Sequence, residues 1–314
     1  MIIIESDDIQ ILKDKVNNEK TAIAIGKFDG IHKGHQVLIN KMLEKKSEGM
    51  KTLCFTFSPS PAEFFSGKSQ PQITTVQEKR SIIEKMGVDI LIEYPFNKTT
   101  ASMEPETFIE DILIGALNAG FVVSGPDLSF GHKGRGDMNM LNEYSSRYGF
   151  GTETVDKIMD GNEEISSSLI KVCMENGDIE KINSYLGRVY SFSGIISSGN
   201  RIGRTIGFPT INIPVDKSKA LPLKGVYYST TTIEGITYNS ITNIGVKPTI
   251  ENNIAPLLET YIYDFDKDVY GKEAEVGLLH FVRAEQKFSG LEELKKVLAE
   301  DIEYGLKYFK CENN

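Results

Sequence analysis

Tryptophan is absent from this 314-residue chain, and cysteine and histidine are scarce, at three and four residues. Without tryptophan, a flat aromatic ligand has only Phe, Tyr or aliphatic side chains to stack on. Cys54, Cys173 and Cys311 are odd in number, widely spaced and in no metal-ligand pattern, so they read as the reduced thiols of a cytoplasmic protein. No stretch approaches the ~20 apolar residues of a membrane helix. The start, Met1 to Asp8, lacks the basic segment and long apolar core of a secretory signal. Positive charge is also in deficit. Lys and Arg number 35 against 44 Asp and Glu, a net charge of −9. That balance argues against a broad nucleic-acid or anionic-membrane surface and leaves room for a local nucleotide site.

What is present is ordinary for a globular chain: 40% apolar and 25% charged residues. The length exceeds what one core usually organises, so two domains are expected. The first ~185 residues alternate strand and helix, the pattern of a parallel α/β sheet. Strands are expected at 21–25, 52–57, 89–94, 121–124 and 151–155, and helices at 33–48, 76–86, 105–117 and 138–148. Beyond a helical stretch at 165–186 the rhythm becomes all-β, with runs at 189–196, 225–233, 236–244, 257–263 and 274–282. Glu234-Gly235 between two of these suits a tight hairpin. These runs suggest a small antiparallel barrel or sandwich. Ser289 followed by Glu292 reads as a capping box opening a terminal helix. The boundary is placed near Asn183, giving domains 1–183 and 184–314.

The most informative segment is Gly26-Lys-Phe-Asp-Gly-Ile-His-Lys-Gly-His35, between an apolar strand and an amphipathic helix. Its two imidazoles, spaced i, i+3, share a helix face where free N–H groups and the dipole favour an anion. Gly34 between them allows close backbone approach. In an open α/β sheet, ligands bind beyond the carboxyl ends of strands. Three other segments are expected to gather there: Thr56-Phe-Ser-Pro-Ser-Pro61, Ser124-Gly-Pro-Asp-Leu-Ser-Phe-Gly131 and Ile165-Ser-Ser-Ser-Leu-Ile-Lys171. In the second half, Gly203-Arg-Thr-Ile-Gly-Phe-Pro-Thr-Ile-Asn212 places Thr210 and Asn212 two apart on an extended segment. They therefore point the same way and offer neutral oxygens suited to Mg²⁺. Downstream lie Asn243-Ile-Gly-Val-Lys-Pro-Thr249, Leu258-Glu-Thr-Tyr261 and Phe281-Val-Arg283.

These segments resemble the bacterial bifunctional riboflavin kinase/FMN adenylyltransferase (FAD synthetase) family. Gly26–His35 matches G-x-F-D-G-x-H-x-G-H throughout, and Gly203–Asn212 matches G-R-x-x-G-x-P-T-x-N. The resemblance implies a Rossmann-like nucleotidyltransferase domain with a parallel sheet, then a small antiparallel β-barrel of riboflavin kinase type with a terminal helix. It implies two successive reactions, riboflavin plus ATP to FMN and FMN plus ATP to FAD, with Mg²⁺ (or Mn²⁺) as the metal.

Carried over by motif, His32, His35 and Lys171 serve adenylyl transfer, and Glu259 is the kinase general base. Gly26, Phe28, Asp29, Gly30, Gly34, Ser167, Ser168, Gly203, Arg204 and Gly207 border ATP and its phosphates. Gly125, Asp127, Phe130, Asn243 and Arg283 border flavin, and Thr210 and Asn212 hold the metal. A monomer or weak homo-oligomer is expected. The chain departs from the family pattern at Ser60, where members carry His, and at Lys171, Ser168 and Leu128, which stand for Arg, Thr and Phe. A hydroxyl cannot become a cation and Lys lacks the bidentate fork of Arg. A kinase whose first domain transfers no AMP is therefore the alternative; a flavin-sensing module without turnover is a more distant one.

Overall fold

The computed structural model describes residues 1–198, 207–248 and 254–312. Gly203, Arg204 and Thr249 of the motifs lie outside the described residues. The chain divides into two compact units, Met1–Ser167 and Ser168–Asn314.

In the first unit, β1 (Ile2–Ile4), β2 (Thr21–Ile25), β3 (Lys51–Ser58), β4 (Ile90–Pro95), β5 (Ala119–Ser124) and β6 (Gly151–Thr154) form a parallel sheet ordered β1-β4-β3-β2-β5-β6. Both faces are buried, as a parallel sheet requires. Along β2, Ile23 and Ile25 join one apolar cluster with Leu53, Phe55, Ile90 and Ile92. Ala22 and Ala24 face the other way, and their small side chains leave room for helix α2 (Lys33–Glu44), which buries Leu38, Ile39 and Met42 there. The other helices named below are α1 (Ile9–Val16), α3 (Pro61–Ser66), α4 (Val76–Lys85) and α5 (Met138–Tyr148). Residues 159–164 form a small hairpin, β7 (Met159–Asp160) and β8 (Glu163–Glu164). The chain order runs β2, β3, β4 in one direction, then crosses to β5 on the other side of β2. The switch point therefore lies at the carboxyl end of β2.

Helix α6 (Ser167–Asn176) opens the next stretch, and Gly177 in the left-handed region (φ 78°) separates it from α7 (Ile179–Leu186). The expected single helix over 165–186 is thus two. In the second unit, β9 (Tyr190–Ile195), β10 (Thr210–Pro214), β11 (Gly225–Ile233), β12 (Ile236–Pro248), β13 (Ile254–Ile262) and β14 (Glu273–Ala284) form an antiparallel sheet ordered β10-β13-β12-β11-β14-β9. Its edges meet at a Ser197–Asn212 bridge, where Ser197 N–H donates to the Asn212 carbonyl at 2.8 Å, so the sheet curls into a barrel. The β11–β12 turn has Glu234 at φ 50° and Gly235 at φ 78°, the positive pair of a two-residue hairpin.

One face of the barrel carries a chain of hydroxyls: Thr231 to Ser240, Ser240 with Ser229, Ser229 with Thr242, and Thr242 with Thr260, at 2.8–2.9 Å. All five are fully buried, so they satisfy one another without water. The opposite face packs Val226, Tyr228, Ile241 and Tyr263 against Phe309 of the terminal helix α8 (Leu291–Glu312). The cap of α8 differs from expectation. Ser289 N–H and Oγ both bond Glu293 Oε2 at 2.7 Å, so the reciprocal carboxylate is Glu293, not Glu292. The expected helix over 33–48 ends at Glu44 and tightens into a 3₁₀ turn, Lys45–Glu48, before left-handed Gly49. That over 105–117 becomes a π-helical stretch, Phe108–Ala116, after one α-turn.

Candidate functional site

After β2 the backbone passes through Phe28 (φ 50°), Gly30 (φ 79°) and Ile31 (φ 44°), all in the left-handed region. Such a path persists only when its surroundings over-determine it. Ile73 N–H donates to Asp29 Oδ1 at 2.7 Å, and Gly30 N–H donates to Thr74 Oγ1 at 3.2 Å. Ser167 Oγ donates to the Asp29 carbonyl at 2.9 Å, Ser124 Oγ to the Ile25 carbonyl at 2.9 Å and Thr56 Oγ1 to the Lys27 carbonyl at 3.3 Å. The motif segments after β3 and β5, and the start of α6, are therefore all fastened to the Gly26–His35 loop. Phe28 is wholly buried. Its ring lies against Gly26, where a Cβ would come within 3.1 Å of it, and meets His35 edge-on at 5.3 Å.

His32 is the N-cap of α2 and makes no side-chain capping bond. One turn later His35 stacks on it, with ring centroids 3.9 Å apart and planes inclined by 29°. Gly34 makes that stack fit: a Cβ there would sit 3.2 Å from His32 Cε1 and Nδ1. The His35 imidazole is held well below its ordinary pKa, first by burial, then by His32 and by Lys79. It is accordingly neutral at pH 7, and its Nδ1 is buried with no hydrogen-bond partner among the described residues. The pair can give directed N–H donors to an anion at the mouth of α2, where backbone N–H groups already point.

The remaining candidates of this half fall as follows. Ser60 is the N-cap of α3. Its hydroxyl accepts from Glu63 N–H at 3.3 Å, while Glu63 Oε2 takes Ser60 N–H at 3.1 Å, a complete capping box. Burial would raise the Glu63 carboxyl pKa, yet the Ser60 hydrogen bonds and that of Gln70 hold it below the usual range. Gly125 faces open space. Asp127 is exposed and paired with Lys157 at 2.6 Å. Phe130 is 4% exposed and packs on Phe108 at 5.2 Å, within the core. Ser168 is exposed and Lys171, three residues along α6, is half-buried.

In the barrel, register gathers residues from separate motifs. Asn212 on β10 lies opposite Glu259 on β13, and Glu259 lies opposite Asn243 on β12. Asn243 pairs with Val226, and Val226 with Arg283. A single cross-strand row thus carries Asn212, Glu259, Asn243 and Arg283, and side chains in one row emerge on one face. Thr210, half-buried, is two residues from Asn212 and opposite Tyr261. Asn212 is 5% exposed, and its Oδ1 is buried with no partner among the described residues. A buried acceptor of this kind costs about 1–3 kcal/mol unless something occupies it, and a hard divalent cation fits a neutral oxygen beside a carboxylate. No group of three His, Cys, Asp or Glu side chains that could hold a metal occurs among the described residues. Any cation would therefore rest mainly on neutral and substrate oxygens. Gly207 has φ 89°, open to glycine and strained for other residues.

Two residues escaped the sequence reading. Asp301 on α8 grips Arg283 through Nε at 3.1 Å and Nη2 at 2.7 Å, so the terminal helix aims the guanidinium. Its only sequence signal is a lone carboxylate on an apolar helix face. Lys79 on α4 is 7% exposed and electrostatically coupled to His35; in the sequence it sits among charged residues and looks solvated.

Comparison with known proteins agrees with both halves. A family model described as FAD synthetase matches residues 14–169, and one described as riboflavin kinase matches residues 186–309. The chain is 35% identical to the bifunctional riboflavin kinase/FMN adenylyltransferase of Bacillus subtilis, covering 94% of each chain. It is 35% identical to that of Haemophilus influenzae, covering 92% of this chain and 94% of the other. The Escherichia coli K12 counterpart is 32% identical over 90% and 91%. A solved structure described as a macrolide-efflux protein from Streptococcus pneumoniae superposes with a TM-score of 0.84 at 26% identity, covering 96% of this chain and 98% of that one. No helix among the described residues is long and apolar enough to cross a membrane.

Proposed function

The chain belongs to the bifunctional riboflavin kinase/FMN adenylyltransferase family, and from that premise we propose how its residues carry out the two reactions at two sites. Residues 1–183 serve adenylyl transfer and residues 184–314 serve phosphorylation; the matched spans 14–169 and 186–309 fall within them. The product of the second site, FMN, is the substrate of the first.

At the kinase site Glu259 takes the proton of the terminal ribityl hydroxyl, and the freed oxygen attacks the γ-phosphorus of ATP as ADP leaves. Thr210 and Asn212 hold Mg²⁺, which when bound neutralises charge on the phosphate oxygens. Arg283, fixed by Asp301, and Asn243 orient the flavin, while Gly203, Arg204 and Gly207 lie along ATP. The observation that carries this reading is the row joining Asn212, Glu259 and Asn243. It sets a base beside an unpaired metal-type oxygen.

At the adenylyl-transfer site a phosphate oxygen of FMN attacks the α-phosphorus of ATP and pyrophosphate departs. No covalent intermediate is needed, so the protein's work is positioning and charge stabilisation. His32 and neutral His35 donate to ATP phosphate oxygens at the start of α2, the Gly26–Gly34 backbone lines the nucleotide, and Ser167, Ser168 and Lys171 support the leaving pyrophosphate. Gly125, Asp127 and Phe130 shape the flavin side. The chain acts in the cytoplasm on flavins and ATP, with no nucleic-acid or membrane partner, as a monomer or weak homo-oligomer.

The test is chromatography of flavins after incubating pure protein with riboflavin, or with FMN, in ATP and Mg²⁺. Riboflavin should yield FMN and then FAD, and supplied FMN should yield FAD. FMN production with no FAD under Mg²⁺ or Mn²⁺ would leave only the kinase half of the proposal standing.

A further inference from the structure

Lys79 is a largely enclosed cation. It lies on α4, 7% exposed, yet no hydrogen bond or ion pair joins its ammonium to any described residue. Carboxylates are near enough to support its charge: burial lowers its pKa, while Asp29, Glu93 and Glu63 raise it. Each of these is already engaged. Asp29 Oδ1 receives Ile73 N–H, Glu93 receives the Arg80 guanidinium, and Glu63 receives Ser60. The segment leading into α4 is bound to the Gly26–His35 loop just before the lysine, through Ile73 to Asp29 and Thr74 to Gly30, and the Lys79 charge is felt at His35. The side chain is largely enclosed while its ammonium bonds no described residue and is not among the fully buried polar atoms, so an anion arriving from solvent can meet it. Placed among the loop, His35 and the start of α3, it suits a ligand that brings concentrated negative charge.

We infer that Lys79 is a phosphate-binding residue of the adenylyl-transfer site, taking oxygens of the ATP β- and γ-phosphates and of the departing pyrophosphate. This rests on the proposed FMN adenylylation. Lys79 is electrostatically linked to Glu63, which bonds Ser60, so it supplies a positive charge toward the segment where the family pattern expects a histidine.

The test uses the full chain carrying Lys79→Met or Lys79→Arg. Pyrophosphate binding is measured by calorimetry, FAD formation from FMN by chromatography, and unfolding by melting. Lys79→Met should weaken pyrophosphate binding and lower FAD formation by about 10- to 100-fold, the loss expected for one charged hydrogen bond. Its melting temperature should stay level or rise, because a buried charge has been removed. Lys79→Arg should recover part of the loss. Unchanged pyrophosphate binding, or a lowered melting temperature or failure to fold in Lys79→Met, overturns the inference and makes the lysine structural. Absence of FAD from the unmodified protein would instead overturn the adenylylation reading, and the pyrophosphate measurement would still judge Lys79.

Discussion

Asn212 and Glu259 stand directly opposite each other on antiparallel strands β10 and β13. One is a neutral amide whose oxygen has no partner among the described residues; the other is a carboxylate. The proposed roles of base and metal ligand thus fall on two separate residues, and the two can be tested apart.

Glu259→Gln keeps the size and removes the basicity. Riboflavin phosphorylation should fall by about 10²- to 10⁴-fold, the usual range for a general base, while FAD formation from supplied FMN persists. Loss of both activities in a folded protein would contradict separate sites.

Asn212→Ala should raise the Mg²⁺ concentration for half-maximal phosphorylation by about tenfold, in line with one lost polar contact. The barrel should melt no lower, since the deleted oxygen bonds nothing described. Metal titrations at saturating ATP and riboflavin decide this. An unchanged Mg²⁺ dependence would remove Asn212 from the metal site.

Gly34→Ala brings a methyl group to about 3.2 Å from the His32 ring. The imidazole must tilt off His35, and FAD formation should drop about tenfold or more, as small misplacements at such sites do. Phosphorylation of riboflavin reports an intact second half. Equal FAD rates in variant and parent would show that the stack is not needed.

Acid should loosen the first unit through His35. Its folded pKa lies well below 6.5, so the unfolded chain accepts a proton that the folded one refuses. The native state is then at full strength above about pH 6.5 and loses up to about 1.4 kcal/mol per pH unit below it, until the folded value is reached. Denaturant titrations from pH 7.5 to 5 should show this slope, and His35→Gln should flatten it.

Ser60→His puts an imidazole where the family pattern expected from the sequence has one, at the expense of a helix cap. It should cost about 1 kcal/mol of stability through the lost capping box and raise FAD formation. No gain in rate would mean that the existing cations suffice.

The sequence carried five of the six strands of each sheet, because hydrophobic alternation and apolar runs are local signals. It also carried Gly26–His35, whose residues are contiguous. It did not carry β1 or α1. Three residues are too few to show a period, and α1 buries only Leu12 and Val16. The choice of Glu293 over Glu292 depends on the helix phase set when α8 docks. The row from Asn212 to Arg283 could not be read either, since strand register emerges only when five strands pair. Lys79 stayed hidden because a charge on an amphipathic helix is normally turned to water, and only the docking of α4 beneath the loop encloses it.

The hydroxyl chain linking Thr231, Ser240, Ser229, Thr242 and Thr260 is closed to solvent. It nonetheless works as a combination lock for the reacting face. Slipping β12 or β13 by one residue would break the sequence of hydroxyls and turn Glu259 inward. Thr242→Val, which deletes the central hydroxyl bonded to Ser229 and Thr260, should therefore blur the aim of Glu259 as well as weaken the barrel. The alignment proposed for Glu259 is thus held by small neutral groups buried on the opposite side of the sheet.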